Sequence, residues 1–236
     1  TWSIKKNLKS WIDKDLGTPA ANNSGSMYHS ASAVILGGGR GKRMGGNKLF
    51  LAVDEIFLVH KVITRLSEWF RQVLIVVSQE DRDPFIKTQG KLLETPDLTV
   101  IVDKQPGLGP LEGLATALEQ INTEWAFVAG CDMPSINEAV LRAMWGHKTE
   151  TSSIICASLE GFIEPLHAFY RKDCIYSIRS NLEQGKRKLK SFYRDENVTR
   201  VDEISLKHLP GYRTSFASIN TPEELRSWLD PGMPHS

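Results

Sequence analysis

Cysteine is scarce in this chain, and its three copies, Cys131, Cys156 and Cys174, are odd in number and too widely spaced for a Cys-x-x-Cys metal or redox motif. They fit reduced residues in a cytoplasmic protein. No apolar run approaches the length of a membrane span, and the N-terminus lacks the hydrophobic stretch of a signal peptide. Neither sign of charge dominates: 29 basic residues face 28 acidic ones, so the bulk balance favours neither nucleic acid nor an anionic membrane as partner. Any anion site must be local.

Two familiar phosphate-binding signatures are missing as well. A Walker A loop needs glycine five residues before its Gly-Lys pair and Ser or Thr after it, but around Gly41-Lys42 those places hold Leu36 and Arg43. A dinucleotide Gly-x-Gly-x-x-Gly fingerprint started at Gly37 or Gly39 ends on Lys42 or Met44. What stands there instead is Ala33-Val-Ile-Leu-Gly-Gly-Gly-Arg-Gly-Lys-Arg-Met-Gly-Gly-Asn-Lys48. A short strand-like run empties into a glycine-dense loop carrying Lys42, Arg43 and Lys48, a composition that wraps backbone amides and cations around phosphates. A glycine-rich surface turn with incidental charge is the plainer alternative.

With 236 residues and 41% hydrophobic content, the chain can build one sizeable α/β domain or two small ones. One domain is expected, residues 27–236, behind an appended leader or linker, residues 1–26. In that leader Ile4, Leu8, Trp11 and Ile12 fall at helical spacing, and residues 17–26 have linker composition. From Ser32 onward, β-branched runs alternate with helix-length segments, the order of a mostly parallel sheet covered by helices. Strands are expected at Ala33–Leu36, Val73–Ser78, Leu98–Val102, Trp125–Ala129, Ser153–Ala157, His167–Tyr170 and Ser215–Ile219. Helices are expected at Phe57–Phe70, Leu111–Gln120, Asn137–Trp145, Asp173–Gln184 and Thr221–Leu229. The last has a well-formed start, with Thr221 as cap, Pro222 at the first helical position and two glutamates behind it.

In such a sheet, ligands collect beyond the carboxyl ends of the strands. The glycine loop, Asp103 and Asp132 all follow strands and could converge there. Asp132, in Ala129-Gly-Cys-Asp-Met-Pro134, suits a hard divalent cation held against phosphate oxygens, and capping of the next helix is its ordinary alternative. The glycines of Gly107-Leu-Gly-Pro-Leu-Glu-Gly113 allow close approach of a flat ligand, or simply loosen a helix start.

The series Leu-Gly-Gly-Gly-x-Gly-x-Arg43-Met-Gly-x-x-Lys48, Asp103, Gly109-Pro-Leu-x-Gly113, Cys131-Asp132-Met-Pro134, Glu164-Pro-Leu166 and Ile219-Asn-Thr-Pro-Glu-Glu-Leu225 resembles the molybdenum cofactor guanylyltransferase family, from about Ser32 to Leu229. The resemblance implies a three-layer, Rossmann-like nucleotidyltransferase fold. It also implies transfer of GMP from GTP to molybdopterin, with pyrophosphate released and Mg²⁺ as cofactor. Arg43, Lys48 and Asp132 would be the catalytic set, with Arg43 on the β- and γ-phosphates. Leu36, Gly37 and Gly38 would hold the guanine and ribose side, joined by Gly39, Ser78, Asp103 and Gly113 on the nucleotide, while Lys48 meets the phosphates. Asp132 would carry the metal, and Asn220 is a second metal candidate by likeness to sugar nucleotidyltransferases, with helix capping as its alternative. GTP and molybdopterin would be the small-molecule partners, beside transient contacts with proteins that supply and receive the cofactor.

For the pterin, Glu164, His167, Tyr170, Lys186 and Arg187 are candidates, since the acceptor offers a phosphate for cations and a polar heterocycle for stacking. A solvated helix face is the ordinary reading of the basic run, and a hydrogen-bonded core position that of His167. Two residues depart from the family pattern: Gly37 stands in place of alanine, which should loosen the loop, and Asn47 in place of aspartate beside Lys48. The rival readings are a nucleotidyltransferase of the same fold using CTP or another acceptor, and a nucleotide-binding module without catalysis.

Overall fold

The computed structural model describes residues 24–37, 47–90, 97–105 and 108–229. Its centre is a seven-stranded sheet in the order β5-β4-β1-β6-β8-β7-β9. The strands are β1 (Ala31–Leu36), β4 (Val73–Val77), β5 (Leu98–Val102), β6 (Trp125–Gly130), β7 (Ile154–Leu159), β8 (Phe162–Arg171) and β9 (Val198–Asp202). Only β8 runs antiparallel to its neighbours. A small hairpin, β2 (Ala52–Val53) and β3 (Ile56–Phe57), stands apart.

β1, β4 and β6 are buried along their whole length because helices cover both faces of the sheet. Alternation along β1 splits the core in two: Ala33 and Ile35 join one cluster, Val34 and Leu36 the other. On the first face lie α1 (Ser24–Ser30), α2 (Leu58–Ser67), α3 (Gln79–Gln89) and α5 (Glu138–Gly146), through residues such as Met27, Val62, Phe85 and Val140. On the second lie α4 (Pro110–Gln120) and α6 (Cys174–Glu183), through Leu114, Leu118, Ile178 and Leu182. This is the mostly parallel, helix-covered sheet that the strand and helix order implied, in the three layers that the resemblance implied. The domain boundary expected after residue 26 falls within α1, whose Met27 is buried.

One expected strand is absent. Residues Ser215–Ile219 contain the end of a short helix, α7 (Tyr212–Ser215), followed by irregular chain. Ser215 is held by its side chain, accepting from the amide of Asn137 at 2.9 Å, and Ile219 docks into a satellite core with Val53, Leu58 and Leu225. The sheet edge is taken by β9 instead. That strand, Val-Thr-Arg-Val-Asp, buries only Val201 and so carries almost no apolar signal.

The last helix, α8 (Pro222–Leu229), starts as its sequence implied. The Glu224 amide donates to Thr221 Oγ1 at 3.1 Å, and the Thr221 amide donates back to Glu224 Oε2 at 3.3 Å, a reciprocal capping box. Among the described residues, no helix is long and apolar enough to cross a membrane.

Candidate active site

The chain leaves β1 toward β4 and β5 on one side and later returns to β6 on the other, so the topological switch lies between β1 and β6. In open sheets of this kind the ligand crevice lies at that point, beyond the carboxyl ends of both strands. Leu36 ends β1 and Gly130 ends β6, and the Cys131 amide ties the two together by donating to the Leu36 carbonyl at 3.2 Å.

Asp132 and Lys48 meet at this point, with Lys48 Nζ 2.6 Å from Asp132 Oδ2. The Asp132 side chain is only 9% exposed, against 36% for Lys48. Two features aim the carboxylate. A Cβ on Gly130 would stand 2.4 Å from Asp132 Oδ1, so the side chain folds back into space that only glycine leaves open. From the other side, the Ile219 amide donates to the Asp132 carbonyl at 2.8 Å, and Trp228 Nε1 donates to Ser135 Oγ at 2.7 Å. Lys48 opens a 3₁₀ turn anchored by the fully buried Leu49. Asn47 caps that turn, accepting from the Leu49 amide at 3.1 Å and donating to Asp81 at 2.8 Å. The departure at Asn47 thus gives a structural amide in place of a second charge beside Lys48.

Gly37 is a tight position, contrary to the expectation of a loosened loop. A Cβ there would lie 2.8 Å from the Val76 carbonyl oxygen and 3.0 Å from Leu49 Cδ1, while the Gly37 amide donates to that same carbonyl at 2.8 Å. Gly113, in the first turn of α4, faces Leu36, whose Cδ2 would lie 3.4 Å from an added Cβ. Asp103 extends the parallel ladder past β5 by donating its amide to Val77, and its half-buried carboxyl is raised above the usual range, chiefly by burial. Leu36, Gly37, Asp103 and Gly113 therefore share the β1-β4-β5 side of the crevice. Ser78 lies at the same edge, where its hydroxyl caps α3 by accepting from the Asp81 amide at 3.1 Å. Gly38, Gly39 and Arg43 lie outside the described residues.

The remaining candidates divide. Glu164 begins the bulged part of β8, which runs antiparallel, so its start shares the edge with Asp132. Its carboxyl is raised by burial, an effect opposed by Lys190. Asn220 is drawn beside Asp132 by the neighbouring Ile219 amide, and its own amide donates to Glu224 Oε2 at 2.5 Å. Lys186 is exposed and donates to Asn181 Oδ1 at 2.9 Å. Arg187 donates from Nη1 to the carbonyls of Leu182 and Lys186, both at 2.9 Å, and its backbone lies against Gly109 at the start of α4.

His167 and Tyr170 do not face the crevice; both are fully buried. The His167 ring packs edge-on against Phe127 and pairs Nε2 with Ser215 Oγ at 2.7 Å, and burial holds its pKa down at about 3. These are core positions, as apolar neighbours in a strand favour. Neutral in the fold and titrating near 6.5 when unfolded, His167 lets the unfolded state bind the extra proton between those values. Stability is therefore complete above pH 6.5 and falls as pH drops toward 3, by about 1.4 kcal/mol per unit from this group. Urea unfolding of His167→Gln across that window should show a correspondingly flatter slope, and an unchanged slope would rule the histidine out.

The missed signals sit around Asp132. Gly130 looks like any strand glycine in the sequence, and Trp228 like any amphipathic helix residue. Burial pushes the Cys131 thiol up to about 12 and the Cys156 thiol to about 11, so neither is a nucleophile at neutral pH.

A doubly covered, mostly parallel sheet with a lysine–carboxylate pair at its switch point is an architecture suited to holding a nucleotide, and the family match gives the class, a nucleotidyltransferase. The MobA-like NTP transferase domain matches residues 33–201, and the chain belongs to that family. It is 34% identical over 206 residues to a Peptoclostridium acidaminophilum protein named "Probable molybdenum cofactor guanylyltransferase", covering 84% of this chain and 87% of that one. A "Molybdenum cofactor guanylyltransferase" of Syntrophotalea carbinolica is 30% identical over 202 residues, covering 85% and 91%. Among solved structures, molybdopterin-guanine dinucleotide biosynthesis protein A from Archaeoglobus fulgidus superposes with a TM-score of 0.67 at 25% identity, covering 83% of this chain and 95% of that one.

Proposed function

We propose that this chain is a molybdenum cofactor guanylyltransferase: it transfers GMP from GTP to the terminal phosphate of molybdopterin and releases pyrophosphate. The Lys48–Asp132 pair at the switch point carries this reading. An acceptor phosphate oxygen attacks the α-phosphorus of GTP, and the bond to the β-phosphate bridge breaks. Both reactants are anions, so the protein's task is charge neutralisation and in-line positioning, with no side-chain nucleophile.

The nucleotide belongs on the β1-β4-β5 side, against Leu36, Gly37, Asp103 and Gly113, with Ser78 at its margin. The resemblance adds Gly38, Gly39 and Arg43 to that half. Lys48 neutralises phosphate charge as it leaves. The acceptor then belongs across Asp132, toward Glu164, Asn220 and Lys186.

Asp132 fits Mg²⁺. Its carboxylate is cradled by Gly130, and among the described residues no cluster of three or more His, Cys, Asp or Glu offers an all-protein cage. One carboxylate completed by substrate phosphates and water is how Mg²⁺ is commonly held, and bound there it would shield the phosphates from their own repulsion. The three free, buried cysteines support a reducing, cytoplasmic setting. Residues 27–236 serve as the catalytic unit.

The test is pyrophosphate release with Mg²⁺ and molybdopterin, comparing GTP, CTP and ATP in the native protein and in Asp132→Ala. GTP-selective release, lost in the variant, is expected. Preference for CTP would move the chain to the cytidylyl reading, and no release with any nucleotide would leave a binding module.

A further inference from the structure

β8 does not follow its neighbour evenly. Its register against β7 runs Cys156 to Ala168 and then Ser158 to Ile163, so the single residue Ala157 opposes the four residues Glu164, Pro165, Leu166 and His167. These four bulge at the edge of the sheet where Asp132 lies, and the chain re-enters the ladder through His167 at φ 95, a backbone conformation that a histidine seldom adopts. Such a bulge leaves main-chain groups without a ladder partner.

Side chains from the two core layers supply the missing restraint. On one face, the His167 ring is fixed by Ser215 and by Phe216, with ring centroids 4.2 Å apart. On the other, the Tyr170 hydroxyl donates to the Pro165 carbonyl at 2.6 Å and pairs with the Tyr193 hydroxyl, also at 2.6 Å. Phenylalanine would fill the same volume. A hydroxyl buried at this position and spent on the bulge's own carbonyl is a device for holding the bulge in place.

We propose that Tyr170 is a positioning residue for the acceptor half of the site: through the Pro165 carbonyl it fixes the Glu164–Leu166 bulge as the wall against which the phosphate-bearing pterin docks. This rests on the guanylyl-transfer reading. It also gives Tyr170 a role that burial alone denies it, since the ring cannot touch a ligand but can place the residue that does.

Tyr193 provides a matched control. Tyr193→Phe removes the tyrosine–tyrosine hydrogen bond and leaves the Pro165 bond intact, whereas Tyr170→Phe removes both. Steady-state pyrophosphate release with GTP and molybdopterin varied separately should give an acceptor KM about tenfold higher in Tyr170→Phe, with the GTP KM unchanged. Tyr193→Phe should lower the melting temperature without moving the acceptor KM. Equal acceptor effects in the two variants, or none in either, would overturn the proposal. Amide exchange at Ile163, Glu164, Leu166 and His167 reads the same restraint without turnover. Were the native protein to release no pyrophosphate, the guanylyl reading would fail by itself. Faster exchange in Tyr170→Phe alone would then still assign the bulge to Tyr170, and equal exchange in both variants would refute it.

Discussion

Lys48→Met will lower turnover at saturating GTP by about 100- to 1,000-fold, the usual cost of removing one preorganised charge from a phosphoryl-transfer site. The same variant will bind a divalent cation more tightly when no nucleotide is present. Both effects follow from one distance. With Nζ 2.6 Å from Oδ2, the ammonium already neutralises Asp132, the carboxylate proposed to hold the metal. A divalent ion arriving there meets a like charge and only part of a free carboxylate, so it binds poorly until triphosphate draws Lys48 away. Because the exposed lysine is well screened and can swing aside, removing that repulsion should raise the affinity about tenfold, or about 1.4 kcal/mol. Mn²⁺ binding followed by electron paramagnetic resonance in nucleotide-free protein measures it directly, with Asp132→Asn as the variant that should abolish the site. An Mn²⁺ affinity that does not change in Lys48→Met would mean that the ion pair does not govern metal access. Wild-type turnover in that variant would remove Lys48 from the chemistry altogether.

What the sequence discloses depends on how many residues share a burden. The buried strands β1, β4 and β6 are legible because both faces of each must be apolar, and α2 because Leu58, Val59, Val62, Ile63 and Leu66 repeat at helical spacing. Elements held by one or two residues are not. α3 buries only Phe85 and Gln89 and is defined instead by its Ser78 cap. The β2–β3 hairpin turns through Asp54 and Glu55 at φ 51 and 64, a left-handed pair in which Asp54 is an ordinary choice but Glu55 stands where glycine is the usual signal.

The site shows the same division. Lys48 and Asp132 are legible as charged residues following strand ends, and the structure brings them into contact. His167 and Tyr170 look like ligand contacts because they are polar and close in sequence to Glu164. Alternation instead sends their side chains to opposite core layers, and it is the bulge just before them, Glu164–Leu166, that reaches the site edge. Arg187 is an arginine in a basic run, yet one of its guanidinium nitrogens is spent on the carbonyls of Leu182 and Lys186. A residue type states what chemistry is available, and the geometry of the nearest unsatisfied backbone group decides who uses it.

Gly130→Ala is the sharpest test of how Asp132 is aimed. Its added methyl would stand 2.4 Å from Asp132 Oδ1 and 3.6 Å from Met133 Cγ, so the carboxylate, rather than the strand, is the group with room to move. The backbone at Gly130 lies outside the left-handed region, and alanine itself suits a buried strand end better than glycine. The melting temperature should therefore change by only a few degrees. Turnover should fall about 100-fold, the cost of displacing a catalytic group by about an ångström, and Mn²⁺ affinity in the presence of GTP should fall with it. Lys48 shares the carboxylate, so its loss and the glycine substitution act through one group. The double variant should then lose much less than the product of the two single effects. Fully multiplicative losses would show that Gly130 and Lys48 act independently, and a Gly130→Ala enzyme with native turnover would show that the Asp132 carboxylate does its work from some other orientation.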